Sequence, residues 1–197
     1  MVLVVTHDLA KVKLRVRFSL PAPKDIMMSV EQKRSMMGSL KSFDVADHRE
    51  YDSKGKKAMM EFLNRKLKGF KTIENPNQYG IDLLTVNEYN KVIHCWEVEV
   101  RHGNWQGDIS FPFREINCIE RKDYQWRKDQ ELFNKIPMDV VNDVKVSYVQ
   151  LNKECNRAVI IDSSTILKHP LKPWANRKGS GEYVRQVPIT ETLQVKI

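Results

Sequence analysis

The stretch that decides the fold is residues 81–101, which read IDLLTVNEYNKVIHCWEVEVR. Two apolar runs flank a polar segment at residues 87–91, a pattern typical of two antiparallel strands joined by a turn. Successive side chains of a strand point to opposite faces. Glu97, Glu99 and Arg101 therefore share one face of the second strand, which carries two carboxylates and one guanidinium.

Asp82 interrupts the first apolar run, where an unpaired buried carboxylate is costly, so it needs a partner. If the turn residues between Asn87 and Val92 are unpaired, Asp82 lies opposite Glu97, with the Cβ atoms roughly 5 Å apart. A turn one residue shorter would place Asp82 on the Trp96 side of the sheet instead. The pairing with Glu97 predicts two like charges side by side.

A divalent cation between these carboxylates would turn repulsion into attraction, because hard cations prefer oxygen ligands. Asp82 and Glu97 are the predicted metal ligands, and the backbone carbonyl of Val98 is a possible additional one. The pattern of residues alone therefore favours a hard-cation site on this strand face.

These residues resemble the PD-(D/E)XK nuclease superfamily, whose signature is an Asp at a strand end, a hairpin, and Glu-x-Lys on the next strand. The matching segments are residues 75–84 and 96–100, and the resemblance covers residues 54–162. It implies an α/β fold with a restriction-endonuclease-like core, in which helices flank a mixed central sheet. It also implies an Mg²⁺-dependent endonuclease that hydrolyses DNA, with Mn²⁺ as a substitute metal.

Glu99 stands where the superfamily usually has Lys, as in some of its restriction enzymes. The resemblance assigns Asp82 and Glu97 as Mg²⁺ ligands and Glu99 as a second ligand or general base. Another cation must then stabilise the charge that develops on the phosphate.

Three basic residues are candidates for that cation. Arg101 faces the same way as Glu99, with a salt bridge to Glu99 as the simpler interpretation. Arg121 and Lys122 follow the next strand and are also the predicted nucleic-acid-binding residues, although a purely solvated role remains open for both.

The superfamily often adds a carboxylate from the first helix, predicted here over residues 54–68 with Ser53 as its N-cap. Glu61 is the acid within that range, but helical geometry turns it away from the buried stripe, so a solvated position is favoured. Glu50 and Asp52, just upstream, are alternatives that the sequence does not rank.

Composition sets the remaining limits. The 197 residues carry a net charge of +8, and residues 82–120 carry −4 between flanks of +7 and +5. A carboxylate site within a polyanion-binding surface would give this pattern, and so would a solvated basic surface that only aids solubility. Because mean hydropathy is −0.51 and no apolar run could span a bilayer, a membrane protein is excluded. The three cysteines have no CxxC spacing, which favours a reducing, cytoplasmic setting.

The predicted organisation has three parts: an N-terminal strand and helix extension at residues 1–50, a nuclease core at 51–162, and a loop-rich cap at 163–197 that ends in a strand. DNA is the predicted partner, and a homodimer would allow both strands to be cut. One alternative is a non-catalytic, basic nucleic-acid-binding module on the same fold. Another is a protein-binding subunit whose Met-rich residues 27–37 form the contact surface.

Overall fold

A computed structural model describes residues 45–101, 105–174 and 182–197. The chain divides into two units, Met1–Ser35 and Met36–Ile197, and every described residue belongs to the second. The strand expected in the N-terminal extension and the Met-rich segment lie outside the described residues. No helix among those described is long and apolar enough to cross a membrane.

The described residues contain four helices and nine strands. The helices are α1 (Val45–Lys66), α2 (Asp123–Trp126), α3 (Gln130–Asn134) and α4 (Ser163–Lys168), with 3-10 turns at Glu120–Lys122 and Ile189–Glu191. The strands are β1 (Lys71–Glu74), β2 (Leu83–Val86), β3 (Val92–Val100), β4 (Glu115–Ile119), β5 (Val140–Leu151), β6 (Arg157–Asp162), β7 (Leu171–Trp174), β8 (Glu182–Pro188) and β9 (Leu193–Lys196).

Six strands form a mixed sheet in the order β1-β2-β3-β5-β6-β9. The β3 and β5 strands are parallel, whereas all other neighbours in this sheet are antiparallel. A second, three-stranded antiparallel sheet has the order β4-β8-β7. The protein is thus an α/β protein with a mixed central sheet flanked by helices, as the sequence predicts.

The central strand β3 is packed on both faces. On one face, α1 contributes Met59, Phe62 and Leu63 to a core with Trp96 and Val98 of β3. On the other face, the core includes alternate residues of β3 and β5 together with α2; its members include Cys95, Val146, Tyr148 and Trp126. Burying a side chain of this size contributes about 1.5–3 kcal/mol, so β3 is firmly held in place.

Gly55 marks the closest approach of α1 to the sheet. A Cβ atom at this position would lie 2.5 Å from Cγ2 of Val100 and 3.2 Å from Cδ1 of Leu151. A larger residue would require the side chain of Val100 to move, and the next residue of α1, Lys56, contacts Asp82 just before β2.

Three predicted elements differ from those observed. The first helix begins at Val45 rather than after Ser53, so Ser53 lies within it; residues 45–53 contain no Pro or Gly that would interrupt a helix. The sequence of residues 123–135, which contains Trp126, Leu132 and Phe133, predicts one helix, but this segment is divided into α2 and α3 at Lys128, whose φ is 54°. Residues 163–197 contain more regular structure than expected, and β9 joins the central sheet.

Candidate active site

The register of the β2–β3 hairpin brings the two predicted metal ligands together. Leu83 pairs with Trp96 and Leu84 with Cys95, which puts Asp82, one residue before β2, level with Glu97. The predicted juxtaposition of Asp82 and Glu97 is therefore present.

This register arises from a bulge that the sequence analysis did not foresee. Val86, not Asn87, pairs with Val92, and the register then shifts so that Thr85 pairs with His94. The extra residue, Ile93, changes the alternation of side chains. Without the bulge, Asp82 would lie level with Trp96 and face the opposite side of the sheet.

Asp82 is a nearly buried carboxylate with two protein donors. Its Oδ2 accepts a hydrogen bond from the backbone N–H of Val98 at 2.8 Å. Its Oδ1 lies 2.8 Å from Nζ of Lys56, which also contacts Oδ2 of Asp52 at 2.7 Å. Helix α1 thus supplies one ammonium group and one further carboxylate to this site.

Burial, reinforced by the nearby charge of Glu97, raises the pKa of Asp82 to about 7, although Lys56 and the Val98 N–H act in the opposite direction. A carboxyl group with this pKa has too little nearby positive charge and hydrogen bonding to offset the cost of burying its ionised form. The position of Asp82 therefore favours an additional cation or proton.

Glu97 is buried on the central strand and is bound from the opposite side. Nζ of Lys122 contacts its Oε1, and Nε2 of Gln125 donates to its Oε2 at 2.9 Å. Burial acts to lower the pKa of Lys122, but Glu97, Glu99 and Asp82 together raise it above its ordinary value. Asp82, Glu97 and Glu99 therefore all stabilise the charged form of Lys122.

Gln125 also offers an acceptor that nothing in the described part of the chain uses. Its Oε1 is buried and has no hydrogen-bond partner. The carboxylates of Asp82 and Glu97 and the amide oxygen of Gln125, whose Nε2 binds Glu97, are hard oxygen donors, which is the ligand type that Mg²⁺ and Mn²⁺ prefer. The residues present thus fit a divalent cation.

Glu99 and Arg101 have other partners. Oε2 of Glu99 accepts a 2.8 Å hydrogen bond from the hydroxyl of Tyr148, whose pKa is raised by burial and by Glu99. Arg101 donates to Gln150 at 3.2 Å, and its guanidinium carbon lies 4.4 Å from the ring centre of Phe113. Among the described residues, no three His, Cys, Asp or Glu side chains form a metal-binding group.

Of the other predicted site residues, one points toward the acidic residues of the site and two are exposed to solvent. Lys122 is turned toward Glu97, whereas its neighbour Arg121 is exposed. Glu61 is also exposed and lies about 140° around α1 from Lys56. The helical acid linked to Asp82 is instead Asp52, through Lys56.

The sequence analysis missed Lys56, Gln125 and Tyr148. A signal was available for Lys56, because it lies three residues before Met59 and so on the buried stripe of α1, where a lysine is unusual. Gln125 and Tyr148 have no comparable signal in the sequence.

A buried ion pair holds the segment that carries Lys122 and Gln125. Nη2 of Arg185, on β8, lies 2.6 Å from Oδ2 of Asp123, and Nε donates to Oδ1 at 3.1 Å. This pair joins the three-stranded sheet to α2, which keeps the two Glu97 donors in position.

A polar cleft of about 360 Å³ opens beside Asp82. Its wall includes Lys56, Asn75 and Gly80. The amide of Asn75 donates to the carbonyl of Lys135 at 3.1 Å, and a Cβ on Gly80 would lie 2.4 Å from that amide nitrogen. The tight turn leaves Asp82 at the edge of a space that a substrate can enter.

No family model matches this sequence, and no curated protein matches it. A solved structure, that of a nuclease from a fusselovirus, aligns with a TM-score of 0.40 and 12% sequence identity, over 78% of this chain and 89% of that one. A likeness this distant leaves the function of the present chain to be argued from its own site.

Proposed function

We propose that this protein is a metal-dependent endonuclease that hydrolyses phosphodiester bonds in DNA. The observation that carries the proposal is the buried, facing pair of Asp82 and Glu97, with the ammonium groups of Lys56 and Lys122 on either side. Facing carboxylates are costly unless a cation compensates them. The cleft beside Asp82 and the net charge of +8 both suit a polyanionic substrate.

Asp82 and Glu97 would hold Mg²⁺, or Mn²⁺ in its place, with the Val98 carbonyl as a further ligand. When bound, the metal would supply a Lewis acid and an activated water at neutral pH. In the hydrolysis, one P–O bond forms to the water oxygen and the P–O bond to the leaving oxygen breaks. Glu99 is assigned as a second ligand or as the base that receives the water proton, with Tyr148 orienting its carboxylate.

Lys122 is the cation that we assign in place of the missing motif lysine. Its ammonium contacts Glu97 and responds electrostatically to Glu99 and Asp82, whereas Arg101 is held by Gln150 and Phe113. A positive charge here would stabilise the negative charge that develops on the phosphate. Arg121, exposed next to Lys122, would contact the DNA backbone.

The test is a cleavage assay with the full-length chain, supercoiled plasmid and a panel of linear and branched DNAs, in Mg²⁺, Mn²⁺ or EDTA. Asp82→Asn and Glu97→Gln should lose cleavage but retain DNA binding. Glu61→Gln, which removes an exposed carboxylate from the same region of the chain, should cleave as the wild type does. Undiminished cleavage by Asp82→Asn would refute the assignment, and cutting of both strands would point to a homodimer.

A second candidate function is a non-catalytic, basic nucleic-acid-binding module. It is favoured by the protein donors that already bind each acidic side chain: Lys56 on Asp82, Lys122 on Glu97 and Tyr148 on Glu99. Metal binding separates the two candidates. Mn²⁺ should raise the melting temperature of a nuclease and that of its Glu61→Gln variant but not that of Asp82→Asn, whereas it should not affect an inert module.

A further inference from the structure

A second pocket, of about 260 Å³, lies beside α2 and α4, away from the cleft at Asp82. Its lining includes the three basic residues Arg127, Lys128 and Lys145, and the hydrogen-bonding residues Trp126, Ser163 and Ser164. We propose that this pocket binds a backbone phosphate of the DNA, at a distance from the bond that is cut. The proposal rests on the proposed function and names a second contact for the same substrate.

The charge of the pocket is positive. Lys128 and Lys145 are exposed, and neither has a salt bridge within the described ranges. Arg127 is only loosely paired, with Nε 3.6 Å from Oδ2 of Asp123. The lining carboxylate, Asp162, accepts a hydrogen bond from the N–H of Ser164 at 2.9 Å. Three cations against one carboxylate favour an anionic ligand.

The charged residues of the pocket also affect the pKa of the neighbouring His94. Burial, reinforced by the charges of Lys145 and Lys128 and opposed by that of Asp162, lowers its pKa to about 3. His94 is therefore neutral at physiological pH and adds no charge of its own to the pocket.

Trp126 provides an unused hydrogen-bond donor in the lining. Its side chain is 1% exposed, and its Nε1 has no acceptor in the described part of the chain. A buried N–H without an acceptor is costly, and in this proposal a bound anion would be its acceptor.

The backbone at Lys128 supports the same conclusion. Its φ of 54° lies in the left-handed region, which is unfavourable for a lysine and is more often occupied by Gly or Asn. Strain of this kind is retained where a side chain is needed at that place. The turn between α2 and α3 thereby presents Arg127 and Lys128 consecutively at the pocket.

The register of β3 and β5 relates the pocket to the candidate active site. Lys145 pairs with His94 and Tyr148 pairs with Glu97, so the levels of Lys145 and Glu97 are three residues apart along the parallel strands. Three residues of strand span about 10 Å, which corresponds to about three base-pair rises of B-DNA. A phosphate held at the pocket would fix the position of the DNA relative to Asp82 and Glu97.

The test compares two double variants that each remove two exposed lysines. Lys128→Gln with Lys145→Gln alters the pocket, and Lys71→Gln with Lys91→Gln is the matched control on β1 and the hairpin turn. DNA binding is measured by fluorescence anisotropy in EDTA, where no metal-dependent cleavage occurs, over a series of KCl concentrations. The pocket variant should bind about 10-fold more weakly, and its slope of log K against log salt should fall by about 1 to 2. The control should stay near the wild type.

A second arm uses inorganic phosphate and measures the melting temperature. Phosphate should stabilise the wild type and the control but not the pocket variant. Stabilisation by phosphate without any selective change in DNA binding would identify a site for free phosphate and overturn the DNA assignment. Equal losses of DNA binding in both double variants, or none in either, together with no stabilisation by phosphate, would overturn the pocket itself.

The cleavage assay separates this proposal from the nuclease assignment. A chain that never cleaves, yet binds DNA through Lys128 and Lys145, would refute the nuclease and leave the pocket intact. A chain that cleaves through Asp82 but binds equally well without the two lysines would refute the pocket alone.

Discussion

The ammonium group of Lys122 contacts Oε1 of Glu97, although the two residues are 25 positions apart in the sequence. Lys122 ends the 3-10 turn after β4, and Glu97 lies on the central strand β3. A cation from a neighbouring element therefore reaches the face of β3 that carries Glu97 and Glu99. The contact also explains why two adjacent basic residues, Arg121 and Lys122, should differ in function.

Lys122 and Arg121 form a matched pair for kinetics. We expect Lys122→Met to lower the single-turnover cleavage rate at saturating DNA by about 100-fold or more, because transition-state charge loses its cation. Arg121→Met should weaken DNA binding and leave that rate near the wild type. Lys122→Arg serves as a control for folding, since it keeps the charge beside Glu97. Similar rates for the two Met variants would contradict the assignment.

Replacing Gly55 by alanine should destabilise the protein, although alanine has the higher helix propensity. Alanine is the better helix former by about 1 kcal/mol, but its Cβ would lie 2.5 Å from Val100. We expect Gly55→Ala to lower the free energy of unfolding by about 1–3 kcal/mol. Lys57→Ala, at an exposed position of the same helix, should be nearly neutral. Urea denaturation measures both, and a stabilised Gly55→Ala variant would show that α1 lies farther from β3.

His94 predicts how stability depends on pH. Its pKa is about 3 in the folded chain because of burial and Lys145, and about 6.5 when unfolded. Between about pH 3 and about pH 6.5, His94 binds a proton in the unfolded chain but not in the folded chain. The contribution of His94 to the free energy of unfolding is therefore complete above about pH 6.5 and is lost as the pH falls toward about 3. Wild type should lose about 2 kcal/mol more than His94→Gln between about pH 7.5 and about pH 5. Parallel urea denaturation curves at both pH values would contradict the neutral, buried state of His94.

The Arg185–Asp123 pair predicts a coupled loss of stability and activity. Arg185→Met leaves the buried carboxylate of Asp123 unpaired, which should cost about 3–5 kcal/mol. Adding Asp123→Asn should recover much of that loss, because the uncompensated charge is removed. Cleavage should stay low in both variants, since α2 no longer holds Lys122 and Gln125 on Glu97. Full activity in a stable double variant would show that the pair does not position these residues.

The local sequence pattern was sufficient to predict the acidic face of β3. The alternation along β3 predicted that Glu97 and Glu99 share a face, and the Asp within an apolar run predicted a compensated carboxylate at position 82. Helical spacing predicts a buried stripe at Met59, Phe62, Leu63 and Leu67; the first three are buried in α1, and Leu67, just after the helix, is half-buried. Each of these predictions depends on the side-chain periodicity of a single strand or helix.

The partners of the acidic residues could not be obtained in this way. Lys56 reaches Asp82 because Gly55 lets α1 approach β3, and Lys122 reaches Glu97 because Arg185 anchors α2. These contacts join elements that are distant in the sequence, and no local period encodes them.

The sequence by itself determined the mixed α/β class, the hairpin and the identity of the acidic residues, because strand alternation and burial cost act within a few residues. Tertiary structure decided which cation meets which carboxylate and where the second pocket forms. It also decided the face on which Asp82 lies, since a single bulge at Ile93 offsets the shorter pairing of Val86 with Val92. One residue of register reverses every side chain beyond it, and only the packed sheet selects between the two registers.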